Sequence, residues 1–347
     1  MAQAEAVEAP DANAPTQEPR PIREYGVTFT SEGVELSATV WEREPVPVAE
    51  PPVGKDGKPG KAKKVKEGDP EAPPRAFCIL VHGLLSDRQE FGDLGRRLAE
   101  AGFGAIAIDI KGHGKSQGPR GVITSLDSIV ADILAAQDFL SKRHEQWDFN
   151  PQQWAIIGHS LGAVAALRAG YYFHQESEIV AIAPPRTIAE EIGFFKRLGY
   201  QLAYNAKGKG VPADAVGPTV PYEVKVEDII QSAPHRQSAK RLGFLQTRMP
   251  LRNYPALMGF DGETIARNLL DPTATIVVAS KDRVVSNAGS RAIYEALPTS
   301  KQWWVVEGSG HSILMDAQAE TFTERLIAYL EPRLGAFPEV REGHTKR

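Results

Sequence analysis

The sequence predicts an α/β protein built on a mostly parallel sheet, and three observations carry that prediction. Short, nearly continuous apolar runs, of the kind buried on both faces of a sheet, recur at 76–81 (AFCILV), 104–109 (GAIAID), 153–158 (QWAIIG), 179–183 (IVAIA), 275–280 (TIVVAS) and 302–306 (QWWVV). Helix-length amphipathic segments near 88–101, 124–143, 161–175, 287–296 and 314–331 separate most of them, and such alternation implies parallel strands joined by helical crossovers. The alternation fails once, between Pro184 and about Asn268, where the chain turns irregular and is punctuated by Gly and Pro; 185–268 reads as an inserted lid.

Taken from the start of the chain, residues 1–21 are Ala/Pro/Glu-rich and cannot bury enough apolar surface to offset chain entropy, so a disordered tail is expected. Their acidic residues and the missing apolar h-region are unlike a secretory signal peptide. Two alternating runs follow (Val27, Phe29; Val34, Leu36, Ala38, Val40) around Ser31-Glu32-Gly33, which predicts an antiparallel hairpin. Residues 44–74 are Pro-rich, with six lysines between Lys55 and Lys66, and read as a solvated insertion inside a single domain at 22–335, with a C-terminal tail at 336–347.

Composition excludes several classes of function. Forty Lys and Arg against 44 Asp and Glu give a net charge of −4, too balanced for a chain built to neutralise nucleic acid. No apolar run approaches the ~18 residues of a transmembrane segment. The single cysteine, Cys78, precludes an intrachain disulfide framework, a Cys-based zinc cluster or a CxxC pair, and suits a reducing compartment such as the cytoplasm.

The pattern G-x-S-x-G occurs at Gly114–Gly118 and again at Gly158-His159-Ser160-Leu161-Gly162. A nucleophilic serine needs a tight strand-to-helix turn, with glycines relieving side-chain clashes and a helix N-terminus facing the developing negative charge. Ser160 directly follows the WAII run and precedes the helix former LGAVAALRAG, whereas Ser116 is followed by Gly118-Pro119-Arg120-Gly121 and reads as a loop residue. Ser160 is the expected nucleophile.

A serine hydroxyl needs a base, and the base an orienting group. His311, in the Gly-rich loop after the WWVV run, stands at a strand's carboxyl end, where sites in open α/β sheets form. Asp282, just after TIVVAS, is the matching acid. The preceding strand end offers no carboxylate before Glu190. The chain order Ser160, Asp282, His311 is the one expected of α/β-hydrolases. His159 reads as a packing or orienting neighbour of Ser160, and His113, His144, His174, His235 and His344 as ordinary loop or surface residues. The expected oxyanion donors are the amides of Leu161, after the nucleophile, and of Leu84, in the His82-Gly83-Leu84-Leu85 loop. The Gly-rich turn that begins at Asp109 lacks phosphate-loop spacing and reads as structural.

Together, His82-Gly83, the Asp109–Gly118 segment, Gly158–Gly162, Asp282-Arg283-Val284-Val285 and Gly310-His311 resemble the monoglyceride lipase/lysophospholipase-like branch of the α/β-hydrolases, also grouped with the S33 serine aminopeptidases. The resemblance covers roughly 23–335. It implies an eight-stranded sheet with helices on both faces and a lid after strand six, no metal or organic cofactor, and a small-molecule acyl substrate such as a monoacylglycerol or lysophospholipid. The 44–74 insertion and the lid sequence depart from the family pattern.

The chain thus reads as a serine ester hydrolase. The lid's Phe194, Phe195, Tyr200, Tyr204, Leu242, Phe244, Leu245, Met249, Tyr254 and Met258 offer apolar material for an acyl tunnel or for packing on the sheet, and its net positive charge suits peripheral contact with an anionic interface. The same triad also serves aminopeptidases, amidases, thioesterases and acyltransferases, with Glu190 and Glu191 available to a substrate amine, or the scaffold of a non-catalytic ligand receptor. Dehalogenase and epoxide-hydrolase chemistry would need an aspartate in place of Ser160.

Overall fold

The computed structural model describes residues 21–43, 76–144, 153–174 and 176–334. The expected tails and the 44–74 insertion therefore fall almost wholly outside the described residues. Among the described residues ten strands form: β1 (Ile22–Ser31), β2 (Val34–Arg43), β3 (Phe77–Val81), β4 (Gly104–Ile108), β5 (Trp154–His159), β6 (Glu178–Ile182), β7 (Thr219–Pro221), β8 (Arg248–Pro250), β9 (Thr273–Ala279) and β10 (Lys301–Val306). Eight build one sheet in the order β1-β2-β4-β3-β5-β6-β9-β10. β1 and β2 run antiparallel to their neighbours, and the other six are mutually parallel. β1 and β2 meet in a two-residue turn at Glu32 (φ 47°) and Gly33 (φ 78°), the paired left-handed conformation that matches the twist of a hairpin.

The apolar runs are buried because helices cover both faces. Along β3, Phe77, Ile79 and Val81 join a core with α2 (Leu126–His144), α3 (Leu161–Ala169) and α10 (Asn287–Ala296). The alternate residues Cys78 and Leu80 join a second core with α1 (Leu94–Glu100) and α11 (Ala319–Leu334). This period of two, with both sets buried, is what makes a central parallel strand read as an unbroken apolar run.

Three helix boundaries differ from expectation. The helix near 88–101 is broken into a single turn at Arg88–Phe91 and α1, because Gly92 leaves the first turn with φ 53°. The segment near 161–175 is helical only to Ala169 before a tighter turn. The last helix begins at Ala319, because Asp316 spends its carboxylate on backbone amides, that of Ala317 among them.

β6 and β9 are hydrogen-bonded neighbours, so everything between Ile182 and Thr273 is an excursion from adjacent strands. It contains α4 (Ile188–Glu191), α5 (Phe194–Ala203), α6 (Val226–Ile229), α7 (Ala233–Leu242), the β7–β8 ribbon, α8 (Tyr254–Met258) and α9 (Gly262–Arg267). Phe244 packs with Ile229, Ile230 and Ala239 in a core of the excursion's own, and Met249 and Met258 pack onto the main core. Asn253 is wholly buried and ties the excursion to the loop after β4: its Oδ1 accepts from Ile123 N (3.1 Å) and its Nδ2 donates to Gly121 O (2.7 Å).

The turn after β4 is structural. Asp109 accepts from Arg88 N (2.9 Å) and Lys115 N (2.7 Å) and pairs with the Arg88 guanidinium. Ser116 Oγ accepts from Ser37 N (2.8 Å) and donates to Asp109 O, which leaves it no catalytic part. His113 departs from its surface reading: it is fully buried, its ring 5.3 Å from that of His82, and burial pushes its pKa down to about 3. Asp109→Ala would strand the largely buried Arg88 charge. We expect it to lower the unfolding free energy by about 3 kcal/mol in urea denaturation, and an unchanged midpoint would contradict this account.

Candidate active site

Ser160 sits between β5 and α3 with φ 54° and ψ −119°, a strained backbone for a residue bearing a Cβ. Glycine on each side makes the turn fit. A Cβ on Gly158 would stand 2.2 Å from Gly162 O, and one on Gly162 would stand 2.2 Å from Val81 O. The turn is fastened by Ser160 N donating to Ile182 O on β6 (2.8 Å). Gly83 lies directly alongside, since a Cβ there would be 3.2 Å from Ser160 Cβ.

Asp282 and His311 come from the loops after the adjacent strands β9 and β10, and His311 Nδ1 donates to Asp282 Oδ2 at 2.7 Å. The other carboxylate oxygen, Oδ1, accepts from Val284 N (2.8 Å) and Val285 N (2.9 Å), which fixes the Asp282 side chain. Burial would raise this carboxyl, but the His311 charge and hydrogen bond, together with the two amides, outweigh it and hold Asp282 below the usual carboxylate range. His311 is buried, with Nδ1 bound to Asp282 and no hydrogen bond to Nε2 among the described residues.

The amide of Leu161 is the first of α3, where helix amides have no intrahelical partner, and the Leu84 amide has no hydrogen-bond partner among the described residues. The Leu84 loop is held tightly. Gly83 N donates to Glu90 Oε1 (2.8 Å), Ser86 Oγ donates to Glu90 Oε2 (2.5 Å), and Leu85, at φ 57°, accepts from Gln246 N of the excursion (2.8 Å). His82 faces away and serves the backbone: Nδ1 donates to Gly83 O (2.8 Å) and Nε2 accepts from Ile110 N (3.1 Å).

Two carboxylates that sequence reasoning passed over organise these loops. Glu90 is one. The other, Asp316, is buried and accepts four backbone N–H groups: Oδ2 from Gly310 (2.9 Å) and Gln231 (2.7 Å), Oδ1 from Ser232 (2.9 Å) and Ala317 (2.8 Å). It thereby joins the His311 loop to the excursion, and Ser312 N donating to Ile229 O (2.9 Å) adds to the join. The acidic pair in α4 has other duties. Glu190 is bound by Arg186, while Glu191 Oε2 accepts from Ser286 N (3.0 Å) and burial beside Asp282 raises its pKa to about 7.

Burial works against the Asp316 carboxylate, but its four donors outweigh this and keep its pKa depressed. The stability it contributes is then full above the unfolded value of about 4 and is lost as pH falls through the lower folded value. Asp316→Asn should be less stable than wild type at neutral pH, and the gap should close on acidification. A gap that stays constant into strong acid in pH-resolved denaturation would refute the role.

The sequence profile of the serine aminopeptidase S33 family matches residues 72–318. A monoacylglycerol lipase of Mycolicibacterium smegmatis is 24% identical over 276 residues, spanning 76% of this chain and 91% of that protein. The crystal structure of Paleococcus ferrophilus monoacylglycerol lipase superposes with a TM-score of 0.58 at 22% identity, covering 76% of this chain and 96% of that one. A soluble variant of Saccharomyces cerevisiae monoglyceride lipase, solved with a substrate analog, gives 0.64 at 14% identity over 92% of this chain and 100% of its own. With the family's profile matched over most of its length, and with an eight-stranded sheet, a strained strand-to-helix turn at Ser160 and an excursion after β6, the chain belongs to the serine aminopeptidase S33 family, as an α/β-hydrolase of the monoglyceride lipase-like branch.

Proposed function

We propose that the chain hydrolyses carboxylic esters through Ser160, His311 and Asp282, and that its substrates carry a medium or long acyl chain, as monoacylglycerols and lysophospholipids do. The observation that carries this reading is the pairing of His311 with Asp282 (2.7 Å) beside the strained Ser160 turn, whose neighbour His159 hydrogen-bonds the His311 carbonyl (3.0 Å). His311 Nε2 takes the Ser160 proton as Oγ attacks the acyl carbonyl. Asp282 fixes the tautomer and stabilises the imidazolium, and the amides of Leu161 and Leu84 receive the oxyanion. His311 then returns the proton to the leaving alcohol, and water releases the acid by the same steps. The names of the relatives support ester substrates. An aminopeptidase reading has less support, because Arg186 already neutralises Glu190.

The excursion acts as a lid in this reading. Phe194, Leu198 and Leu202 fall at i, i+4 and i+8 on α5 and are all exposed, the last of them by 60%. An apolar ridge of this kind, on an element with excess basic charge, suits contact with aggregated substrate. Among the described residues no helix is long and apolar enough to cross a membrane.

Fluorophosphonate labelling tests the nucleophile: Ser160→Ala should abolish it, and labelling that persists would overturn the assignment. Asp282→Asn should fold and lose kcat by on the order of 10⁴-fold. p-Nitrophenyl esters should be cleaved with a preference for medium or long acyl chains, whereas activity confined to aminoacyl amides would replace esters with peptides. Replacing Phe194, Leu198 and Leu202 by serine should reduce turnover of emulsified long-chain ester while sparing a short, soluble one; equal loss on both would argue against the ridge.

A further inference from the structure

His159 and Glu90 have no part in the proton transfers above, yet both are buried and hydrogen-bonded to each other beside the Ser160 turn. Nδ1 faces Glu90 Oε1 at 3.0 Å, an oxygen that already accepts from Gly83 N. Nε2 faces the carbonyl oxygen of His311 at 3.0 Å. Glu90 also accepts from Gly83 N and Ser86 Oγ, and these donors favour its carboxylate form; facing a carboxylate on one side and a carbonyl on the other, both ring nitrogens carry hydrogen.

We propose that His159 is a standing imidazolium paired with Glu90, and that this buried ion pair positions the oxyanion loop and the general base together. The proposal rests on the roles given above to Leu84 and His311. Through its two oxygens Glu90 holds Gly83 and Ser86, the residues that bracket Leu84 and Leu85. Through Nε2 His159 fixes the main chain of His311, and the two rings stand 4.6 Å apart. One charge pair therefore spans three segments: the loop after β3, the Ser160 elbow and the loop after β10. Its positive end is the residue next to the nucleophile, where negative charge develops during acyl transfer.

The surroundings agree. Glu90 lies against His159 on one side, with His82 and Tyr222 also near it; His159 meets Glu90, the His311 carbonyl and the field of Asp282. Burial alone would discharge both partners. Their mutual charge and hydrogen bond reverse this, lowering Glu90 and raising His159 relative to their ordinary values. A buried pair is retained only when further hydrogen bonds satisfy it, and here Gly83 N, Ser86 Oγ and His311 O do so. Glu90 and His159 are positioning residues: each acts through the groups it holds.

The test uses the full-length protein carrying isotope-labelled histidine, with the His159 resonances assigned by their loss in His159→Gln. Both His159 ring nitrogens should be protonated at mildly alkaline pH, where a free imidazole is neutral. A single protonated nitrogen there overturns the proposal, whatever the variants do. Glu90→Gln should leave one protonated nitrogen and lower kcat on the order of 10²-fold with little change in KM, as expected of displaced rather than missing machinery. Because the pair works as a unit, the double variant Glu90→Gln/His159→Gln should lose no more than the worse single one, and multiplicative losses would contradict it. Failure of the underlying triad would show separately, as labelling independent of Ser160 with the His159 spectrum unchanged.

Discussion

The geometry of this molecule hangs on one backbone conformation, the left-handed turn at Ser160. Such a turn costs about 1–3 kcal/mol and persists only where its surroundings leave no alternative. Here the alternatives are closed by backbone, not side chains: α3 comes so close to β3 and β5 that neither Gly158 nor Gly162 has room for a methyl group. The close approach sets the entry angle of α3, and that angle aims the Leu161 amide. It also brings Gly83 beside Ser160, so the loop that carries Leu84 inherits its place from the same contact.

The remaining parts of the site reach this point through neighbouring strand ends, and buried carboxylates keep them there. Asp282 orients His311, Asp316 gathers the amides of the His311 loop and the excursion, and Glu90 holds the Gly83 amide and the Ser86 hydroxyl of the loop after β3. Each exchanges hydration for several charge-assisted hydrogen bonds, which is what makes a buried carboxylate tolerable. The excursion is consequently no loose flap in its second half. Asp316 at residues 231–232, Leu85 at Gln246 and the Gly121–Ile123 loop at Asn253 hold it to the loops beneath, while the ridge of α5 faces outward.

Much of the architecture was legible because parallel strands buried on both faces write themselves as apolar runs, and all six such runs became strands. Ser160, Asp282 and His311 could be singled out because each follows one of those runs directly. Glu90 and Asp316 escaped notice for a physical reason. A carboxylate among polar residues reads as solvated surface, and the partners here are backbone amides, which leave no trace in side-chain pattern, or, for Glu90, also Ser86 Oγ and the distant His159 ring. Glu90 in particular lies in Ser86-Asp87-Arg88-Gln89-Glu90, a stretch with every mark of an exposed helix start. His113 lies in a loop, as read, but the loop is buried, because the folded turn after β4 carries it beside His82.

The hairpin at the sheet's edge has a consequence for how the chain can be altered. Register places Trp41 of β2 opposite Ala105 and Phe77 of β3 opposite Gly104, so β2 ends and β3 begins at one end of β4, two strand spacings or roughly 10 Å apart. That end is the amino edge of the parallel strands, opposite the carboxyl edge from which Ser160, Asp282 and His311 follow. Lengthening a loop between such fixed points costs only about 0.6 kcal/mol per doubling. The junction is thus a tolerant port, where a fluorophore, a surface tether or an inserted module can be attached with the full depth of the sheet between it and Ser160.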